Sequence, residues 1–289
     1  MTEADRLNPP GKTLAGPKIL LIGASGSGKT RSLGTAVDWA AKQMPPRPVR
    51  ILFTENGLET LLGYWTDRNL PIPANLAYHV VTTPSVPFKD LMEGAKKVGM
   101  LNYKALTELV DPNRSQNNPY YKIMEIMAAF KDDRTGKDLG NIGEWGSDVI
   151  FGIDSLSELA NACMKMVIGN KPTASPSDYG VAQNNLMNLL RYLTQALQST
   201  LIMTAHVQRQ VDEISGTTKL QTKAIGKAMG DDIPQQFSEV IGTVREGSAW
   251  YWDTANSSLD TKTRYLPVAS KIPPDFAQIM DKWAKRGGA

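Results

Sequence analysis

The amino-acid sequence predicts an α/β fold with a mostly parallel sheet. Short apolar runs of strand length alternate with segments whose apolar residues recur every three or four positions, as in amphipathic helices. This alternation is typical of parallel strands joined by crossover helices. A glycine-rich segment, residues 23–30, separates the first apolar run from the first helical pattern. Because open α/β sheets bind ligands at the carboxyl ends of their strands, a functional site is expected first at this junction.

The predicted elements follow one another along the chain. The strands of the parallel sheet are expected at residues 19–22, 49–53, 77–82, 149–153 and 200–204. A polar stretch containing glycines, 207–230, predicts a loop region after the last of them. Three further β-like runs predict an antiparallel meander, at 240–244, 249–252 and 263–266. A last helix closes the chain, with apolar residues Phe276, Ile279, Met280 and Trp283.

The domain organisation is expected to be simple. Residues 1–16 predict a flexible N-terminal segment, punctuated by Pro9, Pro10 and Gly11, and residues 17–289 predict one large domain. Within that domain, helical patterns interrupt the strand and helix alternation at 87–147, which predicts a helical insertion. Residues 239–289 predict a small β-rich tail followed by the last helix.

Composition narrows the class of protein. The 289 residues are 41% hydrophobic and 21% charged, as in ordinary globular proteins. A net charge of +3 is too small for a global polyanion-binding field, so a nucleic-acid site must be a local patch. The single cysteine, Cys163, excludes an intramolecular disulfide and is expected in the core. No apolar stretch approaches the length of a membrane span, so a cytoplasmic location without membrane contact is predicted.

The segment at 23–30 fits the phosphate-binding pattern G-x-x-x-x-G-K-[ST], after a strand and before a helix. Its residues are Gly23, Ala24, Ser25, Gly26, Ser27, Gly28, Lys29 and Thr30. Its glycines let backbone N–H groups surround a polyphosphate at a helix N-terminus. Lys29 is expected to reach the β- and γ-phosphates, and the Thr30 hydroxyl is expected to coordinate Mg²⁺. The sequence therefore predicts a nucleoside triphosphate site.

Carboxylates follow two of the predicted strands. Asp154 follows the run 149–153, and its carboxylate is expected to hold Mg²⁺ beside Thr30. The alternative is that Asp154 caps the next helix. Glu55 follows the strand at 49–53 and is expected to act as a general base for the attacking water. A helix-entry residue that interacts with the helix dipole is the alternative for Glu55.

Polar residues also end the fifth predicted strand. His206, or the nearby Gln208, is placed to sense the γ-phosphate at the ligand edge of the sheet. A solvated surface residue is the alternative for His206.

The order of these positions resembles that of RecA-like P-loop ATPases, and most closely that of phage-encoded nucleotide-binding proteins of the single-strand-annealing, Sak-four type. Glu55, Asp154 and the polar stretch 204–208 carry the resemblance, together with a Gly-Lys-Ala segment at 226–228 and the stretch 262–264. The resemblance covers roughly 18–84 and 148–275 and implies a RecA-like core that uses ATP and Mg²⁺. The insertion departs from a minimal core of this kind.

The resemblance also implies assembly and a partner. ATP is expected between the subunits of a homo-oligomeric filament or ring, where a neighbour's basic residue stabilises the transferred phosphoryl group. Arg264 and Lys271 are the first candidates for that residue, and Lys227 is the third; each is alternatively a solvated surface charge. If the gene is phage-encoded, the expected location is the host cytoplasm.

Single-stranded DNA is the expected partner, with contacts from the loops at 170–180 and 207–230. Lys219, Lys223 and Lys227 lie in a stretch without acidic residues, 216–230, which suits phosphate neutralisation, although solubility is the commoner role of such lysines. The aromatic run 250–252 could stack bases. Strand alternation places Trp250 and Trp252 on one face, however, and core packing is the default expectation for them.

These observations predict an ATPase coupled to single-stranded DNA binding, annealing or recombination. A nucleotide-switched assembly factor that acts on a protein partner without DNA is the alternative. A nucleotide or small-molecule kinase is a third possibility, disfavoured because the tail shows no arginine-rich lid.

Overall fold

The structure is a computed structural model of the chain. It describes residues 14–82, 88–100, 102, 104–105, 118–169, 171, 173–211 and 218–288. Most of the predicted N-terminal segment therefore lies outside the described residues, as do residues 106–117 of the predicted insertion. Leu14 pairs with Gly288, and the Gly16 N–H donates to the Gln198 carbonyl at 2.8 Å, so the end of the predicted flexible segment is held against the domain.

Eight strands form the sheet in the described part of the chain, in the order β3-β2-β4-β5-β1-β7-β8, with β6 paired to β5. Their bounds are β1 (Lys18–Gly23), β2 (Val49–Phe53), β3 (Leu76–Val80), β4 (Ile150–Asp154), β5 (Thr200–Val211), β6 (Thr218–Thr222), β7 (Glu239–Glu246) and β8 (Ala249–Asp253). Strands β1 to β5 and β7 pair in parallel, whereas β5 with β6 and β7 with β8 are antiparallel. The predicted α/β class, with a mostly parallel sheet and antiparallel strands near the C-terminus, is confirmed.

Helices lie on both faces of this sheet. They are α1 (Lys29–Ala41), α2 (Leu58–Thr66), α3 (Phe88–Met100), α4 (Pro119–Ala128), α5 (Leu156–Ile168), α6 (Pro176–Arg191), the single turn α7 (Met229–Asp232) and α8 (Ala277–Lys285). A π-helical turn, Tyr192–Ala196, follows α6 directly. None of the described helices is long and apolar enough to cross a bilayer.

Two hydrophobic cores result, one on each face of the sheet. Side chains of β1 alternate between them: Leu20 and Ile22 face the core formed with α4, α5 and α6, whereas Ile19 and Leu21 face the core formed with α1, α2 and α8. Cys163 is buried in the first core, as predicted. Because both faces are covered, the parallel strands read as continuous apolar runs, which is why the sequence located them.

The predicted insertion contributes to the first core. Helix α4 places apolar side chains there, and Phe130 and Trp145 stack edge-to-face with each other and with Phe151 of β4. After α4 the chain also covers the outer edge of β3, where Asp132 and Asp133 accept hydrogen bonds from its backbone N–H groups. This contact protects an edge strand that would otherwise present free donors.

The prediction of a loop at 207–230 is wrong for 207–211 and 218–222, which are strands. Strand β5 continues to Val211 and forms an antiparallel hairpin with β6, from Val207 opposite Thr222 to Val211 opposite Thr218. Val207 and Leu220 pack against the first core. Polar residues alternate with these few apolar ones, and such a strand carries too weak a hydrophobic signal to be distinguished from a loop.

The prediction of a third meander strand at 263–266 is also wrong, because the chain forms no strand there. Buried Glu239 of β7 takes the place of a neighbouring strand: its carboxylate accepts hydrogen bonds from the Thr263 hydroxyl at 2.6 Å and the Arg264 N–H at 2.7 Å. One isolated bridge, between Val240 and Lys262, joins this segment to β7. The hydrogen-bonding groups of this segment are therefore satisfied by a side chain rather than by a neighbouring strand. The local sequence gives no sign of such an arrangement.

Candidate nucleotide site

The phosphate loop connects β1 to α1 at the carboxyl edge of the sheet. Gly26 and Gly28 adopt left-handed backbone conformations, with φ of 74° and 90°. A Cβ on Gly28 would lie 2.7 Å from a ring carbon of Trp250, and one on Gly23 would lie 2.1 Å from the Thr243 hydroxyl oxygen. Gly28 therefore requires glycine for both backbone conformation and space, whereas Gly26 requires it for conformation and Gly23 for space.

Lys29 lies within this loop rather than in solvent. Its Nζ donates to the carbonyl oxygens of Gly23 at 2.9 Å and Ala24 at 2.8 Å. Burial lowers the pKa of Lys29, and the nearby carboxylates of Asp154 and Glu55 act in the opposite direction. The ammonium group is thus held at the centre of the loop, where phosphate oxygens would replace the carbonyls as acceptors.

Asp154, at the end of β4, accepts hydrogen bonds from two hydroxyl groups. Thr30 donates to its Oδ2 at 2.8 Å, and Thr204 of β5 donates to its Oδ1 in a short contact. Burial raises the pKa of the Asp154 carboxyl, and the hydrogen bonds from Thr204 and Thr30 lower it. Gly57 leaves room for this carboxylate, because a Cβ there would lie 2.4 Å from Oδ2.

The pairing of Thr30 with Asp154 fits a Mg²⁺ site. Among the described residues, no cluster of three or more His, Cys, Asp or Glu side chains is arranged to hold a metal ion. A hydroxyl and one carboxylate suit a cation that takes its remaining ligands from substrate phosphates and water, as Mg²⁺ does.

Glu55 and His206 meet at the same edge of the sheet. Glu55 follows β2, and His206 lies in β5 beside Gly23 of β1; the His206 Nε2 and the Glu55 Oε2 are 3.4 Å apart. Ser157 fixes the backbone of His206 by accepting its N–H at 3.0 Å. The structure therefore brings the predicted base and the predicted γ-phosphate sensor together.

These residues surround one cleft of about 350 Å³, large enough for a polyphosphate. It is lined by Ser25, Gly26, Ser27, Gly28, Lys29, Thr30, Arg31, Glu55, Asn56, Gly57, Thr60 and His206. A larger cavity, of about 600 Å³, lies at the amino ends of β2 and β3. Two arginines line that larger cavity, but Arg50 and Arg134 already donate to carbonyls of Leu139 and Pro73, so the smaller cleft is the chemical site.

Comparison with known proteins agrees with this geometry. A family model described as an AAA domain matches residues 15–268, which is most of the chain. The chain belongs to the AAA domain family. This is a family of P-loop NTPases, which indicates nucleotide binding and hydrolysis for this AAA domain. No curated protein matches the chain.

The basic residues predicted to act in trans lie in different parts of the AAA domain. Arg264 lines a cavity with Lys18, at the amino end of β1 and so at the edge opposite the cleft. Lys271 pairs with Glu246 at 2.7 Å, and Lys227 is exposed after the β5–β6 hairpin. The structure brings neither Arg264 nor Lys271 into the cleft of the same chain.

Sequence reasoning missed several residues of the cleft. Gly57, Thr60 and Arg31 line it, and Thr204 binds Asp154. Arg31 directly follows the phosphate loop, which was an available signal for that residue alone. Trp250, which contacts the loop from β8, carried no such signal because the contact is between distant parts of the chain.

Proposed function

We propose that this protein hydrolyses ATP with Mg²⁺ and couples hydrolysis to single-stranded DNA binding, annealing or recombination, as its resemblance to the Sak-four type suggests. One observation carries the DNA part of the proposal: β5 continues without a break from the cleft into an antiparallel hairpin with β6, and basic side chains are exposed on this hairpin (Arg209) and just after it (Lys223 and Lys227). His206 contacts Glu55 midway along this strand, and β6 pairs with its second half from Val207 onward. A ligand bound at the hairpin could therefore shift His206 and Glu55 through the same strand.

The chemistry at the cleft follows from its charges. Glu55 accepts a proton from a water molecule, whose oxygen attacks the γ-phosphorus as the bond to the ADP oxygen breaks. Lys29 and the N–H groups of the loop neutralise the charge that moves onto the phosphate oxygens. His206, at 3.4 Å from Glu55, positions that carboxylate and senses the γ-phosphate.

Thr30 and Asp154 would hold Mg²⁺. The ion, when bound, draws negative charge from the β- and γ-phosphates. Asp154 is already oriented by Thr204, so its carboxylate needs no rearrangement of β4 or β5 to serve as a ligand.

The hairpin and the segment after it provide exposed basic side chains. Arg209, Lys223 and Lys227 are exposed, and the Lys223 N–H donates to the His206 carbonyl at 2.8 Å. Lys219, predicted with the DNA-contacting lysines, instead pairs with Asp231 and Asp260, both at 2.9 Å. The side chains proposed here to contact DNA are therefore Arg209, Lys223 and Lys227, without Lys219.

A homo-oligomer fits the position of the trans candidates. Arg264 lies at the sheet edge opposite its own cleft, so head-to-tail stacking is the arrangement that would bring it to a neighbour's site. Lys271 would have to break its ion pair with Glu246 before it could reach a neighbour's site. Lys227 is one of the side chains proposed to contact DNA. Arg264 is accordingly the preferred residue, in a filament or ring in the cytoplasm.

Substitution of two of the proposed DNA-contacting side chains tests the DNA proposal. Lys223→Gln combined with Arg209→Gln is expected to weaken binding of fluorescein-labelled oligothymidylate about tenfold or more at low salt, because two phosphate contacts are lost. Fluorescence anisotropy across a salt series measures both affinity and salt slope, and the slope should become shallower in the variant.

The matched control removes equal charge elsewhere. Lys137 is exposed near the amino ends of β2 and β3, at the sheet edge opposite the cleft, and Lys131 is also exposed. Lys137→Gln combined with Lys131→Gln changes the net charge by the same amount and should leave DNA affinity unchanged. Equal loss in both double variants would mean that net charge, rather than the hairpin, attracts DNA.

The alternative function has its own observation. Helix α3 exposes Phe88, Met92 and Met100, an apolar set that would suit a protein partner. A nucleotide-switched assembly factor would hydrolyse ATP without any response to DNA, so absence of DNA binding by the wild-type protein would favour it.

A further inference from the structure

Trp250 does not belong to the hydrophobic core, although its neighbour on the same strand face does. Trp252 is 1% exposed and packs edge-to-face on Phe276, with ring centroids 4.9 Å apart. Trp250 is half-buried on the same face of β8. The default expectation of core packing therefore holds for Trp252 and fails for Trp250.

Trp250 lies against the phosphate loop instead. Its indole N–H donates to the Gly26 carbonyl at 3.1 Å, and its ring occupies the space that a side chain at Gly28 would need. The guanidinium carbons of Arg31 and Arg245 lie 5.4 and 5.9 Å from its ring centroid. A half-exposed aromatic ring flanked by two cations thus adjoins the cleft at the start of α1.

The order of strands gives the cleft a direction. Glu55 follows β2 and Asp154 ends β4, and both strands lie on one side of β1; β7 and β8 lie on the other side. The γ-phosphate must lie near Glu55 and Asp154 if hydrolysis occurs there. The nucleoside end of the substrate must then extend toward β7 and β8, the side on which Trp250 lies.

We propose that Trp250, together with Arg31, forms the platform on which the base of the bound nucleotide stacks. This inference rests on the proposed function, since it assumes that a nucleotide occupies the cleft. Every base presents a π-face, so stacking on an indole ring and a guanidinium plane binds the base without requiring a specific hydrogen-bond pattern. Arg31 also pairs with Asp67 at 3.2 Å, which keeps its guanidinium beside the ring.

Comparing ATP with inorganic tripolyphosphate isolates the base. Trp250→Ala is expected to weaken ATP binding about tenfold, as for loss of one stacked base, and to leave tripolyphosphate binding within about twofold. Isothermal titration of the wild type and the variant, both with Mg²⁺, measures the two dissociation constants. Tyr251→Ala is the matched control, because Tyr251 is half-buried on the other face of β8. This variant should bind both ligands as the wild type does.

Trp250→Phe keeps an aromatic ring but removes the N–H that binds Gly26, and it should retain most of the ATP affinity. Equal weakening of ATP and tripolyphosphate by Trp250→Ala would show that the ring shapes the phosphate loop, and would overturn the platform. Unchanged ATP affinity in that variant would overturn it as well. Failure of the wild-type protein to bind either ligand would instead reject the proposed nucleotide site itself, together with its platform.

Discussion

Lys29→Ala is expected to reduce ATP hydrolysis by at least about 10² to 10³-fold, the effect of losing one preorganised group that stabilises transition-state charge. Lys29 is buried in the loop, beside the carboxylates of Asp154 and Glu55. Removing its ammonium group leaves two carboxylates facing the triphosphate, so ATP binding should weaken as well. Release of inorganic phosphate under saturating ATP and Mg²⁺ measures the loss.

Lys42→Ala is the matched control for this variant. Lys42 lies at the other end of α1 and is exposed, so the same substitution there should leave turnover near the wild-type value. Full turnover by Lys29→Ala would contradict the assignment of the cleft as the hydrolytic site.

Glu55→Gln is expected to retain ATP binding while lowering turnover by about 10² to 10⁴-fold, the usual contribution of a general base. The amide has the shape of the carboxylate but cannot accept a proton, and it keeps a polar atom facing the His206 Nε2, which lies 3.4 Å from the Glu55 carboxylate. Binding should be unchanged or tighter, because a negative charge near the γ-phosphate is lost. Titration calorimetry gives the dissociation constant, and single-turnover phosphate release gives the rate.

Glu59→Gln provides the comparison, since Glu59 is exposed in the first turn of α2 and lies four residues further along the chain. It should alter neither binding nor turnover. If Glu55→Gln loses ATP affinity together with turnover, Glu55 supports the structure of the cleft and another group acts as the base.

The parts of the site that the sequence predicted are those set by local chemistry. The phosphate loop is a contiguous motif, Asp154 ends a buried apolar strand, and Glu55 lies two residues after another. Parallel strands then bring these residues to one edge without further information. His206 was placed correctly at this edge for the same reason, because β5 pairs with β1 in register with Gly23.

The parts that the sequence did not predict depend on contacts between distant segments. The β5–β6 hairpin is stabilised by backbone pairing and by a few apolar contacts, and 263–266 is fixed by the buried carboxylate of Glu239. Trp250 reaches Gly26 across 224 positions of sequence. Such contacts leave no periodic pattern in either partner, so only the folded arrangement reveals them.

The coupling of ATP hydrolysis to DNA is tested by the rate of hydrolysis with and without single-stranded DNA, across a salt series. We expect DNA to raise the rate in the wild-type protein, with a stimulation that declines as salt increases, because phosphate contacts at the hairpin and just after it act on the cleft through β5. The Lys223→Gln and Arg209→Gln double variant should keep its basal rate and lose the stimulation. A wild-type rate that is the same with and without DNA at every salt concentration would contradict the coupling proposed here.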